Sequence, residues 1–336
     1  MIAAPLIVVC AAFGLSLLTI ATLAHRATRL PQDSPNHRSL HVRPVPRAGG
    51  YAIWAGFIPA AVWYPPDFPG GIAAWLPSWL ALATISALDD ALDVSVVARL
   101  VAHAGAALWC SAWLVIDAHD AVDASAARTI AIVAIAVLIA WGSNLYNFMD
   151  GNDGLCATMT VIGFGAFGIA ALKSGDRAVP YFALVAATFP FLVVNRPRAT
   201  MFLGDVGSVP LGFLAASFGI AGVVQGLWPA WFPVLAFLPF IADATVTLVR
   251  RIVRRERIFA AHRDHYYQRL HQLGAGHAGT LSIYAALMFG CAMNAVVCLL
   301  VLPQWGFVAL SVWLAVCLAL FAAIDYHWRK KPADSP

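Results

Sequence analysis

Five short stretches of this sequence gather the residue types that handle phosphates and hard cations. "LDDALD", residues 88–93, holds an adjacent pair of acids, Asp89 and Asp90. "NLYNFMDGNDGL", residues 144–155, puts Asn144, Asn147, Asp150 and Asp153 into twelve positions, with each of its last two acids next to a glycine. "NRPRATMFLGDVGSVPLG", residues 195–212, offers Asn195, Arg196 and Arg198, then Asp205 flanked by Gly204 and Gly207 immediately before an apolar run. Two further stretches, 34–50 and 250–274, combine arginines with histidines, among them Arg47, Arg263 and His265. Asp is a good oxygen ligand for a hard cation. Glycine lets a turn bring backbone amides close to a ligand, and a helix N-terminus favours anions. Arginine matches phosphate oxygens.

The acids are unusual in kind and in place. Of seventeen acidic residues sixteen are Asp, and the chemistry-bearing ones fall at the ends of apolar runs. Asp89 and Asp90 are expected to repel each other unless one is protonated or a cation lies between them. Four separate segments deliver carboxylates to one face, and a divalent metal accounts for that economically. Asp243 differs from the rest. It falls inside an apolar run, where a carboxylate costs about 2.5–3.5 kcal/mol and must find a cavity or a partner.

The elements that must position these groups are membrane helices. The chain has 336 residues, of which 61% are hydrophobic and 11% charged. That is far from the balance of soluble domains. Apolar runs fall at 3–24, 48–64, 72–88, 98–116, 129–146, 154–172, 179–194, 206–224, 231–249, 279–301 and 305–325, which predicts an all-α integral membrane protein of about eleven transmembrane helices. With the N-terminus outside, in the periplasm, eighteen Lys and Arg fall on the inner side and three on the outer. The positive-inside rule then makes the C-terminus cytoplasmic. The first run reads as an anchor rather than a cleaved leader, because its basic cluster follows it. No linker divides the chain, so residues 1–336 read as one polytopic domain. Its cytoplasmic loops that carry the candidate residues lie near 25–47, 89–98, 144–153, 195–205 and 250–278. The basic inner face suits anionic headgroups or anionic substrates, and the 250–274 stretch also reads as a basic amphipathic surface helix. The six cysteines show no metal spacing and read as small hydrophobes, and "GFGAFG" at 163–168 reads as helix packing rather than a dinucleotide loop.

In this order and between spans, "HVRPVPRAGG", "LDDALD", "NLYNFMDGNDGL", "NRPRATMFLGDVGS" and "HRDHYYQRL" resemble the polyprenyl-phosphate N-acetylhexosamine-1-phosphate transferases, glycosyltransferase family 4. The eleven runs and the 34–50 stretch look closer to the O-antigen-initiating branch than to the branch that forms the first lipid intermediate of peptidoglycan. The resemblance implies transfer of a sugar-1-phosphate from a UDP-N-acetylhexosamine to undecaprenyl phosphate, with release of UMP and with Mg²⁺ or Mn²⁺. It implies a bacterial inner membrane location and catalysis at the cytoplasmic face.

By that resemblance Asp205 is the principal metal aspartate, with Asp90 and Asp153 also at the metal. Asp89 and Asp90 are the paired aspartates, one of them orienting the lipid phosphate. Asp150 and Asp153, with Asn147 and Asn144 before them, lie near metal and nucleotide. Arg47, Asn195 and Arg263 are donors to substrate, and His265 is the first histidine of a loop motif in which this chain has Tyr267 and Gln268 where further histidines are usual. Expected partners are the bilayer, the lipid phosphate and the nucleotide sugar, with no nucleic acid and a homodimer left open. The competing reading is a proton-coupled transporter, which requires acids near the bilayer midplane.

Overall fold

The computed structural model describes residues 3–33, 44–92, 94–116, 125–256 and 262–331. Thirteen α-helices make up the bulk of the described chain: α1 (Ala3–His25), α2 (Gly49–Trp63), α3 (Ile72–Leu92), α4 (Val96–Ile116), α5 (Ser125–Phe148), α6 (Leu155–Ala171), α7 (Val179–Asn195), α8 (Asp205–Val224), α9 (Trp231–Ala236), α10 (Leu238–Val253), α11 (Tyr266–Leu270), α12 (Gly276–Leu300) and α13 (Gly306–Lys330). The one sheet among the described residues is a two-residue antiparallel pair, β1 (Gln32–Asp33) and β2 (Val45–Pro46).

Each of the eleven apolar runs is helical, the ninth as two pieces, α9 and α10, that meet at Phe237. Among the described residues eight stretches are long and apolar enough to cross a membrane, one of them, Leu155–Asn195, containing both α6 and α7. The shortfall from eleven has a geometric origin. Helix α2 has 15 residues and α10 has 16, below the roughly 20 that span about 30 Å of hydrocarbon. Large apolar side chains point outward on α1 (Leu6, Ile7, Leu18), α5 (Ile130, Val137) and α13 (Phe307, Val312), as expected of helices that face lipid.

Helix α8 is the central element, packed on α5, α3 and α2. Glycines permit the close approach. A Cβ on Gly50 of α2 would stand 2.6 Å from the Gly207 Cα of α8, and one on Gly212 of α8 would strike the Gly142 carbonyl oxygen of α5. Gly163, from "GFGAFG", receives the Phe237 ring in the same manner, so that stretch packs helices as its composition suggests. Five of the six cysteines are buried and all six are free.

Candidate active site

The site assembles where α8 begins. Gly204, at φ +75°, turns the chain into α8 and leaves Asp205 as its first residue. The strand before it is fastened to the chain before α2. Phe202 N donates to Pro46 O at 2.9 Å, Gly49 N to Phe202 O at 2.9 Å and Gly50 N to Leu203 O at 2.9 Å. This parallel bridge brings Arg47 beside Gly204 and the end of α3. Arg47 pairs with Asp33 at 2.7 Å and reaches Asp90 at 3.6 Å. Burial works against its charge, but Asp33 with Asp90 and Asp205 nearby raises the guanidinium pKa above its ordinary value.

Asp89 and Asp90 do not confront each other. Adjacent residues on a helix diverge by roughly 100°, so neighbours in sequence take different surroundings. Asp89 holds Arg99 at 2.6 Å and accepts from Val94 N at 2.9 Å, while Asp90 faces Arg47 and Gly204. The expected repulsion is thus relieved by two separate arginines. Asp90 keeps one buried oxygen, Oδ2, with no hydrogen-bond partner.

Asp150 belongs to this same group. Burial pushes its carboxyl well above the ordinary range, and the charges of Asp205 and Asp90 add to the effect while Arg47 opposes it. Asn147 stands beside Asp205 and donates to Ser208 Oγ at 3.2 Å. Carboxylates from α3, the α5–α6 turn and α8 therefore lie within electrostatic reach of one another. They are not a finished cage. Among the described residues no group of three or more His, Cys, Asp or Glu is placed to hold a metal ion as it stands.

Asp153 and Asn195 are engaged elsewhere. Asp153 accepts from Ala199 N at 3.0 Å and lies 3.4 Å from His277 Nδ1. Asn195 accepts from Gly154 N at 2.9 Å and donates to Met201 O at 2.9 Å, and it is buried. These bonds clasp the α5–α6 turn to the chain leaving α7. Expected as a substrate donor, Asn195 spends its amide on main chain, and Asp153, expected at the metal, joins the clasp instead of the group around Asp205. Gly154, at φ +77°, supplies the left-handed turn that starts α6.

A cavity of about 520 Å³ opens beside this group, with Ile85, Leu100, Trp141, Val209 and Leu248 on its apolar side. At its polar side are Asp89, Arg99, Asn144, Asn147, Asp205, His262 and His265. Asn144 donates to Ala140 O at 2.7 Å on its own helix. Arg263 is half-buried and is not among the residues lining this cavity. Arg196 and Arg198 are exposed on the α7–α8 connection. His37, Arg38, His41 and Arg43, in the basic stretch expected to bind phosphate, lie outside the described residues.

The chain around α11 is folded back and tied down, unlike a free surface helix. Arg250 and Arg269 both pair with Asp325 of α13, at 2.8 and 2.9 Å, and Arg251 pairs with Asp264 at 2.6 Å. Tyr266 stacks on Phe321 of α13 with ring centroids 4.0 Å apart. Three arginines expected to serve anionic ligands are thus occupied by acids of the chain itself. Arg251 and Arg269 outweigh burial at Asp264 and hold its carboxyl below the usual range. Burial, with His265 and Arg251 close by, pushes His262 down to about 4. Sequence reading missed the Asp89–Arg99 pairing and the parts played by His262, His277 and Asp325. A lone acid near the end of a span that finishes "DYHWRKK" was the available signal for Asp325.

Comparison with known proteins covers the region that carries these residues. Residues 72–223, which carry Asp89, Asp90, Asp150 and Asp205, match the model of glycosyl transferase family 4. The chain is 26% identical over 299 residues to a probable undecaprenyl-phosphate N-acetylglucosaminyl 1-phosphate transferase of Bacillus subtilis (strain 168), covering 85% of this chain and 84% of the relative. It is 27% identical over 318 residues to the undecaprenyl-phosphate alpha-N-acetylglucosaminyl 1-phosphate transferase of Yersinia pestis, covering 88% and 85%. A decaprenyl-phosphate N-acetylglucosaminephosphotransferase of Mycobacterium leprae (strain TN) is 25% identical over 291 residues, covering 72% and 70%. Four acids on three different elements, gathered beside a cavity and inside the matched region, give that likeness a physical basis: residues 72–223 carry the glycosyl transferase family 4 match, and over most of its length the chain is similar to polyprenyl-phosphate N-acetylglucosamine-1-phosphate transferases.

Proposed function

We propose that the protein transfers an N-acetylhexosamine-1-phosphate from its UDP derivative to undecaprenyl phosphate, releasing UMP and starting a lipid-linked surface glycan such as O-antigen. N-acetylglucosamine, the sugar named for the relatives, is the first donor to try. One observation carries the reading. The cavity joins an apolar wall suited to a prenyl chain to a polar end that holds Asp205, Asn147, the Asp89–Arg99 pair and His265.

Both substrates are anionic, so repulsion is the main obstacle, and phosphoryl transfer is catalysed chiefly by positioning and charge neutralisation. A lipid phosphate with a second pKa near about 6 is already largely dianionic at neutral pH and needs no base. Asp89 then serves to orient: it fixes Arg99 at the cavity, where the guanidinium can receive phosphate oxygens. Arg47 brings positive charge to the turn into α8, and Arg196 and Arg198 are exposed on the connection that leads to it. His265 lines the same cavity and can donate to a phosphate oxygen.

The donor set fits a divalent cation, Mg²⁺ or Mn²⁺. Asp90, Asp150 and Asp205 are close, like-charged and largely buried, and Asp90 Oδ2 has no other partner. These three would hold the ion, which when bound offsets the charge of the diphosphate. We place the reaction at the cytoplasmic face of a bacterial inner membrane, on the strength of the eighteen-to-three distribution of Lys and Arg. The transporter reading requires acids near the bilayer midplane, whereas most of these acids lie at span ends or turns, and Asp243, inside the ninth run, is engaged by Tyr266, Tyr267 and Tyr284.

The test is incubation of the purified protein and Mg²⁺ with undecaprenyl phosphate and a panel of UDP-sugars, reading UMP and product mass. UMP release that requires the lipid, and that Asp205→Asn abolishes while the protein still inserts, is the expected result. Substrate flux into proteoliposomes without lipid acceptor, or full activity in Asp205→Asn, would overturn it.

A further inference from the structure

Asp243 is the most deeply buried acid among the described residues, at 0% exposure in α10. Four groups from beyond α10 point at it. Tyr266 N donates to Oδ1 at 2.9 Å and Tyr267 N to Oδ2 at 3.0 Å, and Tyr284 of α12 donates its hydroxyl to Oδ2 at 2.5 Å. His265 Nδ1 stands 3.3 Å from Oδ1. From its own helix, Thr247 donates to Oδ1 at 3.3 Å. Against a carboxylate that accepts from every side, Nδ1 makes its hydrogen bond only when it carries the proton, while Gln268 N faces the same ring in the reciprocal cap that starts α11.

The His265 ring is fixed on its other sides as well. It stacks on His262 at 5.1 Å and Tyr267 at 5.9 Å, and Phe148 lies 5.8 Å away. Gln268 Oε1 accepts from the His265 main chain at 3.3 Å. With Nδ1 committed to Asp243, the nitrogen left for a ligand in the cavity is Nε2.

We infer that Asp243 is a positioning residue for the transfer: it binds His265 through Nδ1 and presents Nε2 to the substrate phosphates. The inference rests on the proposed reaction for its catalytic meaning. The dyad itself stands on geometry, and it gives the buried acid of the ninth apolar run a task. A merely structural role would need the two amides and Tyr284 but would be indifferent to the His265 side chain.

The experiment is a double-mutant cycle of Asp243→Asn and His265→Gln, combined with ¹⁵N-imidazole NMR of the detergent-solubilised full-length protein. The His265 signal is assigned by its loss in His265→Gln. Neutral His265 is expected to be the Nδ1–H tautomer and to lose that preference in Asp243→Asn. In UMP release, Asp243→Asn is expected to lower kcat about tenfold to a hundredfold, and to cost less than about twofold more once His265→Gln is present. The pH limb assigned to His265 should move in Asp243→Asn. Additive losses, an unmoved limb, or a neutral Nε2–H tautomer in the unaltered protein would overturn the inference.

Should Asp243→Asn not fold, Tyr284→Phe takes its place. Losing that donor concentrates the carboxylate's charge on His265, so the limb should shift upward, and an unchanged profile counts against the dyad. Because the tautomer is read without turnover, a protein that releases no UMP would remove the reaction assignment and leave the Asp243–His265 pairing decided separately.

Discussion

At the scale of single residues, the structure separates side chains that face the cavity from those that hold its walls. Asn195 is a wall residue, and Asn195→Ala strands the Gly154 N–H and the Met201 carbonyl in a buried place. A loss of about 1–3 kcal/mol in stability follows, measurable by unfolding in detergent. His262 gives a pH-dependent counterpart. Its folded-state pKa, about 4, lies below the ordinary 6.5, so between those values the unfolded chain binds a proton that the folded chain does not. Stability contributed at this position is complete above about pH 6.5 and falls as the pH drops toward 4. His262→Gln should flatten that acid-side slope in a thermal melt taken from pH 7 to 4.5. Residue types and spacing announced Asp89, Asp90, Asp150 and Asp205 as a set. They could not announce partners. Asp89 and Asp90 were expected to contend with each other because adjacency in sequence was the only distance available, whereas the helix sends one to Arg99 and the other to Arg47. Asp153 was grouped with Asp205 by the family resemblance of its motif, yet its side chain lies against His277, 124 positions away.

At the scale of elements, apolar runs located the helices well, since burial of backbone polar groups in lipid leaves no other choice. The interruption at Phe237 was invisible because both pieces, α9 and α10, are apolar and one continues into the other. The basic stretch 250–274, from the end of α10 onward, was the least legible part. Its composition suits a surface helix, and only the fold reveals that Asp325 of α13 holds two of its arginines. Asp325→Ala should therefore unseat α11 from α13, lowering the melting temperature and UMP release together. The half-exposed Arg177–Asp67 pair, 2.8 Å apart, provides the contrast, and Arg177→Ala should change the melting temperature little. Equal effects from the two variants would remove the clamp from the account.

For the molecule as a whole, composition alone established a multi-span membrane protein, and the outward apolar faces of α1, α5 and α13 agree. Orientation rests on charge distribution. A cysteine introduced at Ser174, between α6 and α7, should react with a membrane-impermeant thiol reagent from outside intact cells, while one at Arg254 should react only after the cells are opened; the reverse pattern would invert the topology. Chelation gives a second test at this scale. Removing divalent ions should abolish UMP release without unfolding the protein, and added Mg²⁺ should restore it, because Asp90, Asp150 and Asp205 sit at helix ends and a turn rather than in the helix interfaces that hold the bundle together.

The seam between residues 45–50 and 200–204 is stitched by main-chain amides and carbonyls, with side chains taking no part in those bonds. Mutation can therefore rewrite the chemistry displayed along either edge while the two edges stay in register. A lineage drifting toward another sugar could exchange side chains on this rim without first having to rebuild the frame that carries them.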